Sequence, residues 1–214
     1  SGMRIKRDFI QDPSLVLYLP LWKLDGAKFR SEDAYGHLAT VTGALWTPQG
    51  RKFDGVANKI TVPYVTSLNL LNELTYEAWV KVSVLSDWAS ILEKNYRPRI
   101  LRFGTSSSWY WSTYVATVEK AITAGSVVVN QWTHLVGTFS VSQGRMVFCQ
   151  DSKVVGTLAI TEAMEATTDG VGIGSLFAGG NYLNGLIGEV RIYNRALTLL
   201  EIQRNYLSTK WRYC

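Results

Sequence analysis

The sequence predicts an all-β protein, a two-sheet antiparallel sandwich or a barrel, with one short helix near its C-terminus. About a dozen short runs are rich in β-branched and aromatic residues, and turn residues separate them. In the clearest runs apolar and polar residues alternate, which places them on opposite faces of a strand. A single helix-start signal follows residue 194. Many strands with almost no helix are typical of a sandwich or a barrel.

The composition suits one domain with a substantial core. Hydrophobic residues make up 47% and charged residues 18% of the 214 residues, and a chain of this length buries a core without disulfide support. No repeat or linker divides it. We predict a domain over 14–207, an N-terminal tail over 1–13 and a C-terminal tail over 208–214. Ser1-Gly2 precedes Met3 as the remnant of an expression tag would.

The expected strands follow one another along the chain with recognisable turns between them. Asp54-Gly55, the segment SQGR and the segment QDSK are turn signals. In chain order the expected strands are SLVLYLPL, KITVPY, LTYEAWVKVSV, ASILEKN, RILRFGT, SWYWSTYVATV, QWTHLVGTFSV, the two halves of RMVFCQDSKVVGTLAI, GVGIGSL and LIGEVRIYN.

The run from 74 to 84 shows the alternation most clearly. Tyr76 and Ala78 point to one face of the strand, whereas Glu77 and Trp79 point to the other. The pattern predicts one face in the core and one face outside it.

The helix has a complete start signal. Thr198 is the expected N-cap, and Glu201 three residues later completes a capping box. Leu197 and Ile202 can form a hydrophobic staple across the cap. The expected apolar stripe consists of Leu199, Ile202 and Tyr206. A structural role explains every residue of this segment, so no catalytic role is needed.

Charge and hydropathy exclude two kinds of partner. The net charge is +5, but many basic residues lie at the termini, and the one inner cluster is Arg97, Arg99 and Arg102. Because nucleic-acid binding needs charges gathered on one face, we expect no nucleic-acid partner. No apolar run is long enough to span a membrane.

The N-terminal segment does not resemble a signal peptide. Asp8 and Asp12 interrupt it before the apolar stretch, and no small-residue cleavage site follows. If Met3 is the native start, the chain is made without a signal, which favours an internally made surface component such as a virion protein.

Cysteines and histidines offer no recognisable catalytic or metal pattern. Cys149 lies in an apolar run and Cys214 is the last residue, so they form no disulfide framework, although a single bridge between them stays open. His37 and His134 are far apart in sequence, and we interpret His134 as a structural residue. No serine or cysteine nucleophile lies in a known motif.

The C-terminal segment LNGLIGEVRIYNRALTLLEI resembles the signature of laminin-G-like domains in the concanavalin A-like lectin/glucanase superfamily. Four earlier segments are similar to family strands: LVLYLPLWKLDG, LTYEAWVKV, QWTHLVGTFS and CQDSKVVGTL. The segment SEDAYGHLATVTGALWTPQGRKFDG is similar to a family loop that usually contains D-x-S-G. The resemblance covers about residues 14–207 and implies a jelly roll of two antiparallel sheets, one of them concave.

The resemblance also implies a structural calcium, but this sequence departs from the pattern. Asp33 is retained in DAYG, whereas Gly188 stands where the family usually has an aspartate, and His37 replaces a common asparagine. Calcium requires several oxygen ligands. We therefore expect no required cofactor and keep Asp33 as the one candidate metal ligand.

The glucanase branch of the superfamily uses carboxylates that alternate on one strand, and no such set is present. Glu189 is followed two residues later by Arg191, and Glu77 by Trp79. A retaining glycosidase needs two acids about 5 Å apart. We expect no enzymatic activity and no catalytic residue, with a glucanase-type hydrolase as the third alternative.

The aromatic residues are the best functional candidates, because flat rings bind the apolar faces of sugars. Trp109 and Trp111 share one face of a strand, with Tyr110 on the other, and the alternative is that both tryptophans fill the core. The candidate ligand-binding residues are Trp88, Tyr96, Arg97, Arg99, Trp109, Trp111 and Tyr182.

We interpret the chain as a non-catalytic module that binds carbohydrate on a concave face or on rim loops. The alternative is a structural or adhesion module that binds protein on a cell or virion surface. In either case the expected location is extracellular, cell-surface or virion-associated. The sequence decides neither the ligand nor the oligomeric state.

Overall fold

The computed structural model describes residues 12–103 and 107–214, with the backbone alone for 101–103. The described part forms two antiparallel sheets with one helix, which confirms the predicted fold class. The strands are β1 (Leu15–Leu19), β2 (Lys28–Arg30), β3 (Leu38–Thr42), β4 (Leu45–Thr47), β5 (Gly50–Asp54), β6 (Lys59–Val62), β7 (Glu73–Val82), β8 (Ser90–Glu93), β9 (Arg99–Phe103), β10 (Ser108–Val115), β11 (Val118–Ala124), β12 (Trp132–Ser140), β13 (Arg145–Gln150), β14 (Lys153–Ala159), β15 (Val171–Ile173) and β16 (Asn184–Tyr193).

The strands divide equally between the two sheets. Sheet A has the order β14-β13-β12-β7-β16-β5-β4, and sheet B has the order β11-β10-β9-β8-β15-β6-β3-β2. In sheet A, β1 pairs with the second half of β16, whereas β5 pairs with its first half. The chain therefore crosses repeatedly between the sheets, as in a jelly roll.

The strongly patterned strands form as the sequence predicts, but the short strands between 28 and 54 were not expected. The segment similar to a family loop contains β3, β4 and β5. Strands β2 and β4 have three residues each and are largely exposed, so they show no clean alternation. Pairing with neighbouring strands, which sequence periodicity does not report, stabilises them.

The core between the sheets is formed by the inward faces of the long strands. Tyr76 and Ala78 of β7 lie in it, as the alternation predicts. Glu77 and Trp79 on the other face of β7 are buried as well. The reason is the helix α1 (Leu199–Thr209), which covers the outer face of sheet A.

Helix α1 begins at the predicted cap. The Thr198 side chain accepts a hydrogen bond from the backbone N–H of Glu201, and a Glu201 carboxylate oxygen accepts one from the backbone N–H of Thr198. Leu197 and Ile202 lie in one buried cluster, as the staple requires. Leu199 is exposed, so its place in the apolar stripe was wrong; the buried residues of the helix are Ile202, Asn205 and Thr209.

The predicted C-terminal tail from residue 208 is part of the folded body. Helix α1 continues to Thr209, a 3-10 turn follows over Lys210–Arg212, and Tyr213 is only 5% exposed. Tyr213 packs on Trp79 and Trp132, with ring centroids 4.6 and 4.7 Å away. The sequence does not reveal this, because the partner rings lie on distant strands.

Two further features bear on the sequence expectations. Cys149 is buried, Cys214 is exposed, and both are free thiols, so no bridge joins them. Within 12–103 and 107–214, no helix combines the length and the apolar content that crossing a bilayer requires.

The cap makes a testable contribution to stability. Thr198→Ala should lower the free energy of unfolding by about 1 kcal/mol, because the first helical turn loses its side-chain acceptor. Arg195 still holds Glu201 at 2.8 Å, which limits the loss. Urea denaturation measures the effect, with the exposed Leu200→Ala as control. An unchanged denaturation midpoint would contradict the role of the cap.

Candidate functional site

A row of four side chains runs along the outer face of sheet B. Trp88 meets the ring of Tyr110 edge-on, with centroids 6.1 Å apart. The guanidinium of Arg99 lies 5.4 Å from the Tyr110 ring centroid and 4.5 Å from that of Tyr96. We call these four residues the aromatic–arginine row. It brings together three of the predicted site residues and adds Tyr110.

Strand alternation and register explain why the row forms. Side chains alternate between the two faces of β10. Trp109 and Trp111 point into the core, so Tyr110 and Ser112 point to the outer face of the sheet. Ser112 pairs with Arg99 of β9 in the ladder. The Arg99 Nε donates a hydrogen bond of 2.9 Å to the Ser112 hydroxyl, which fixes the guanidinium on this face.

Both predicted arginines have carboxylate partners within the protein. Arg99 forms an ion pair with Glu119 at 2.5 Å, and Arg97 forms one with Glu165 at 2.9 Å. Arg97 also lies 4.9 Å from the Tyr114 ring centroid. The row therefore presents the rings of Trp88 and Tyr96, and its arginine is buried with its positive charge largely neutralised.

A buried carboxylate, Glu93, supports the loop that carries Tyr96. It accepts hydrogen bonds from the backbone N–H groups of Phe177 at 2.7 Å and Tyr96 at 3.3 Å. Burial raises the pKa of Glu93 to about 7, and these backbone N–H groups partly oppose that rise. Sequence reasoning missed Glu93; its position at the end of the apolar run SIL is the only sequence signal.

The loops beside the row hold non-glycine residues in the left-handed region of backbone space. Trp88, Asn95 and Tyr96 have φ values of 57°, 46° and 66°. Such conformations are uncommon for non-glycine residues and cluster at functional sites. The two ring-bearing loops are therefore held in place by the surrounding structure.

Trp109 and Trp111 are core residues, so the core alternative applies to both and they leave the candidate site. They are 1% and 0% exposed. The Trp111 ring fills the space beside Gly137, where an added Cβ would lie 2.6 Å from Cε2 of the indole. Its N–H donates to the Thr138 carbonyl at 3.2 Å. Both rings pack between the sheets, where no ligand reaches them.

The remaining predicted residues lie near the row to different degrees. Trp88 is 39% exposed, and Tyr96 and Tyr182 are half-buried. The loop that carries Tyr182 is joined to β8 by a hydrogen bond from the Ser90 backbone N–H to the Asn181 carbonyl. Among the described contacts, none links the Tyr182 ring to the row. The Arg102 side chain and Ser106 lie outside the described side chains.

On the opposite side of the sandwich, a charge cluster is buried between sheet A and α1. Arg191 lies 2.6 Å from both Glu77 and Glu189. His134 binds Glu77 at 2.7 Å, as expected of a structural histidine, and Asn205 of α1 donates to the same carboxylate at 2.9 Å. Two acids thus meet across β7 and β16, but an arginine separates them and the helix covers them.

The residues present do not fit the calcium that the family implies. One Asp33 oxygen accepts the backbone N–H of Tyr18, and the other accepts that of Tyr35. At Gly188, an added Cβ would lie 2.6 Å from Cζ of Tyr213, so an aromatic ring fills the place of the family aspartate. Across the described residues, no group of three or more His, Cys, Asp or Glu side chains could hold a metal.

The two sheets, their crossing connections and the single covering helix define a jelly-roll sandwich of the lectin type. A family model described as the concanavalin A-like lectin/glucanases superfamily matches residues 54–203. The chain belongs to this superfamily, which confirms the resemblance that the C-terminal signature indicates.

Solved structures share the fold at low sequence identity. The chain is similar to the binding domain of botulinum neurotoxin serotype D (TM-score 0.73, 12% identity, covering 92% of this chain and 52% of that one). It is similar to the binding domain of botulinum neurotoxin DC in complex with SialylT (0.69, 14%, 91% and 51%). It is also similar to Trypanosoma rangeli sialidase in complex with sialic acid (0.71, 19%, 93% and 33%).

These similarities establish the fold alone. The chain spans about half the length of the toxin domains and a third of the sialidase. A comparison with curated protein sequences found no match.

The Tyr213 packing predicts a fold that is independent of calcium. Tyr213→Ala should lower the free energy of unfolding by about 3 kcal/mol, because it empties the space between Trp79 and Trp132. Trp211→Ala, which removes an exposed ring, is the control.

Added calcium chloride or EDTA should leave the melting temperature of the wild type unchanged, and a rise with calcium would show that a metal site exists.

Proposed function

We propose that this chain is a non-catalytic binding module that binds carbohydrate along the aromatic–arginine row. The observation that carries the proposal is the row itself: an exposed indole and a half-buried phenol flank an arginine on the outer face of sheet B. Rings of this kind stack on the apolar faces of sugars. Arg99 and Ser112 are buried beside these rings and hold bonds within the protein, so the ring faces of Trp88 and Tyr96 make the contact with the sugar.

The row is suited to recognition because its parts are already held in place. Arg99 is fixed by Ser112 and Glu119, and Tyr96 is stacked on Arg99. Groups held in their bound geometry before binding lose less conformational entropy when the ligand arrives. Since Arg97 and Arg99 are ion-paired, ring stacking contributes more of the affinity than charge does.

The structural neighbours support a binding role as an analogy. Two are binding domains of neurotoxins, one of them in complex with SialylT, and the sialidase is in complex with sialic acid. A sugar ligand for the present chain is consistent with the ligands named for two of these neighbouring structures. An extracellular or cell-surface location, or a place on a virion, belongs to the same proposal.

The arrangement of three buried glutamates supports a non-catalytic role. Glu77 and Glu189 share Arg191 beneath α1, and Glu93 is fully buried beneath the row. A glycosidase needs two carboxyl groups that face the scissile bond from either side. None of these three carboxylates is exposed to a substrate.

A protein-binding module is the second candidate, and one observation favours it. The outward face of α1 exposes Leu199, Leu200 and Leu207, with Leu200 74% exposed. Exposed apolar patches mark interaction surfaces. If no glycan binds and Leu200→Asp abolishes attachment to cells, this candidate replaces carbohydrate binding.

Carbohydrate binding is tested first on an array of neutral and acidic glycans. We expect the wild type to bind at least one glycan on the array. Trp88→Ala and Tyr96→Ala should each lower the affinity for the best array ligand about tenfold, or about 1.4 kcal/mol, because stacking is lost. Tyr35→Ala removes an exposed tyrosine elsewhere and should leave affinity unchanged. Titration calorimetry measures the affinities, and melting curves confirm folding. No binding on the array, or full affinity in both variants, would contradict the proposal.

We further expect no reducing-sugar release from β-glucans or sialosides at any pH. The physical reason is that Glu77 and Glu189 lie beneath the helix and Glu93 lies beneath the row. Hydrolysis that a single Glu→Gln change abolishes, at Glu77, Glu93 or Glu189, would show that one of them is accessible during catalysis.

A further inference from the structure

A second aromatic cluster lies on the other side of the sandwich, where the C-terminal segment crosses β1 and β4. The guanidinium of Arg212 lies 3.7 Å from the Trp22 ring centroid and 4.6 Å from that of Trp211. Trp46 adjoins Trp22 through a hydrogen bond. We call these four residues the Arg212 cluster. The lining of the small cleft beside it includes Tyr18, Trp22, Glu189, Ser208, Thr209, Trp211 and Arg212.

Hydrogen bonds hold all three indoles in place. The Trp46 N–H donates to the Trp22 carbonyl at 3.0 Å, and the Trp211 N–H donates to the Ser208 carbonyl at 3.0 Å. The Trp22 N–H points to Glu189 at 3.4 Å. Because the polar edge of each ring is used internally, the exposed face of Trp211, at 64% exposure, is fixed as an apolar platform.

Arg212 differs from Arg97 and Arg99 in its charge balance. Arg97 and Arg99 each have a carboxylate partner. Among the described residues, Arg212 makes its two ring contacts and forms no ion pair. Stacking on the two rings fixes the position of the guanidinium. A planar fork of donors in this state matches a carboxylate in a bidentate geometry.

The carboxylate of Glu189 in the cleft does not cancel this preference. Its Oε1 binds Arg191 at 2.6 Å, and its Oε2 accepts the Tyr18 hydroxyl at 3.1 Å. Both Glu189 oxygens are therefore bound within the protein, and Glu189 also accepts the hydrogen bond from the Trp22 N–H. The positive charge at the mouth of the cleft comes from Arg212, with Lys210 exposed two residues before it.

We propose that the Arg212 cluster is a binding site for a carboxylated saccharide, with the carboxylate on Arg212 and a sugar ring on Trp211. This site is separate from the aromatic–arginine row and goes beyond the function proposed for it. The row holds one arginine, which is neutralised by Glu119, and suits neutral sugar faces. The Arg212 cluster pairs an exposed indole with a guanidinium that has no ion-pair partner in 12–103 and 107–214, and this combination suits an acidic sugar.

The test compares sialyllactose and a glucuronate-containing hyaluronan tetrasaccharide with lactose, by titration calorimetry on the full chain. We expect the wild type to bind at least one acidic probe more tightly than lactose, and this difference to shrink as salt increases. Arg212→Gln and Trp211→Ala should each lower the affinity for the acidic probe at least tenfold. Arg204→Gln, an exposed arginine on α1, is the matched control and should change nothing.

Two further measurements separate a binding role from a structural one. Arg212→Lys keeps the charge but loses the fork, so it should retain the salt dependence and lose part of the affinity. Melting curves show whether each variant is folded, and Trp211→Ala removes an exposed ring that should cost little stability. Equal wild-type affinity for acidic probes and lactose, or full acidic-probe affinity in folded Arg212→Gln and Trp211→Ala, overturns the proposal.

The same titrations distinguish failure of this site from failure of the row. Loss of acidic binding in Trp88→Ala but not in Trp211→Ala would overturn the Arg212 site and support the row. Loss in Trp211→Ala with Trp88→Ala unaffected for every glycan would support the Arg212 site and contradict the row.

Discussion

The buried guanidinium of Arg191 is the constraint on which the rest of the molecule depends. It lies between Glu77 of β7 and Glu189 of β16, and Glu77 also binds His134 of β12 and Asn205 of α1. Burial by itself would lower the pKa of Arg191, but the two carboxylates hold it well above its usual value. Removing one partner of such a buried group costs about 3–5 kcal/mol, because a charge is left uncompensated. The cluster therefore ties the centre of sheet A to the helix.

This constraint divides the surface of the sandwich into two kinds. Sheet A must be covered, because its outer face carries buried charge and the rings of Trp79 and Trp132. Helix α1 and the C-terminal segment provide that cover, and Tyr213 fits because residue 188 is glycine. The helix does not cover the outer face of sheet B, where Trp88 of the aromatic–arginine row is exposed and Tyr96 is half-buried, whereas Tyr110 and Arg99 are buried. Where the cover ends, Trp211 and Arg212 form a second surface of rings and charge.

Local patterns predicted much of the fold and some of the site. The alternation of β7 and of β10 placed each side chain on the correct face, and the Thr198–Glu201 box marked the helix start. Periodicity cannot tell whether a second face is covered as well, and this is why the sequence does not show that Glu77 is buried. The same ambiguity left Trp111 between the core and the site. The short strand β4 escaped notice, since three exposed residues carry no periodic signal.

The sequence alone determined the class of fold, the order of the long strands, the capped helix and the family. These features depend on neighbours within a few residues: alternation along a strand, a cap and its third residue, a dense ordered signature. Only the tertiary structure decided that Arg97 and Arg99 are neutralised while Arg212 has no carboxylate partner among the described residues. It also decided that Tyr213 takes the place of the family aspartate at Gly188. These facts depend on contacts between residues far apart in the chain, whose distances arise only when the sheets pack and the helix closes over one of them.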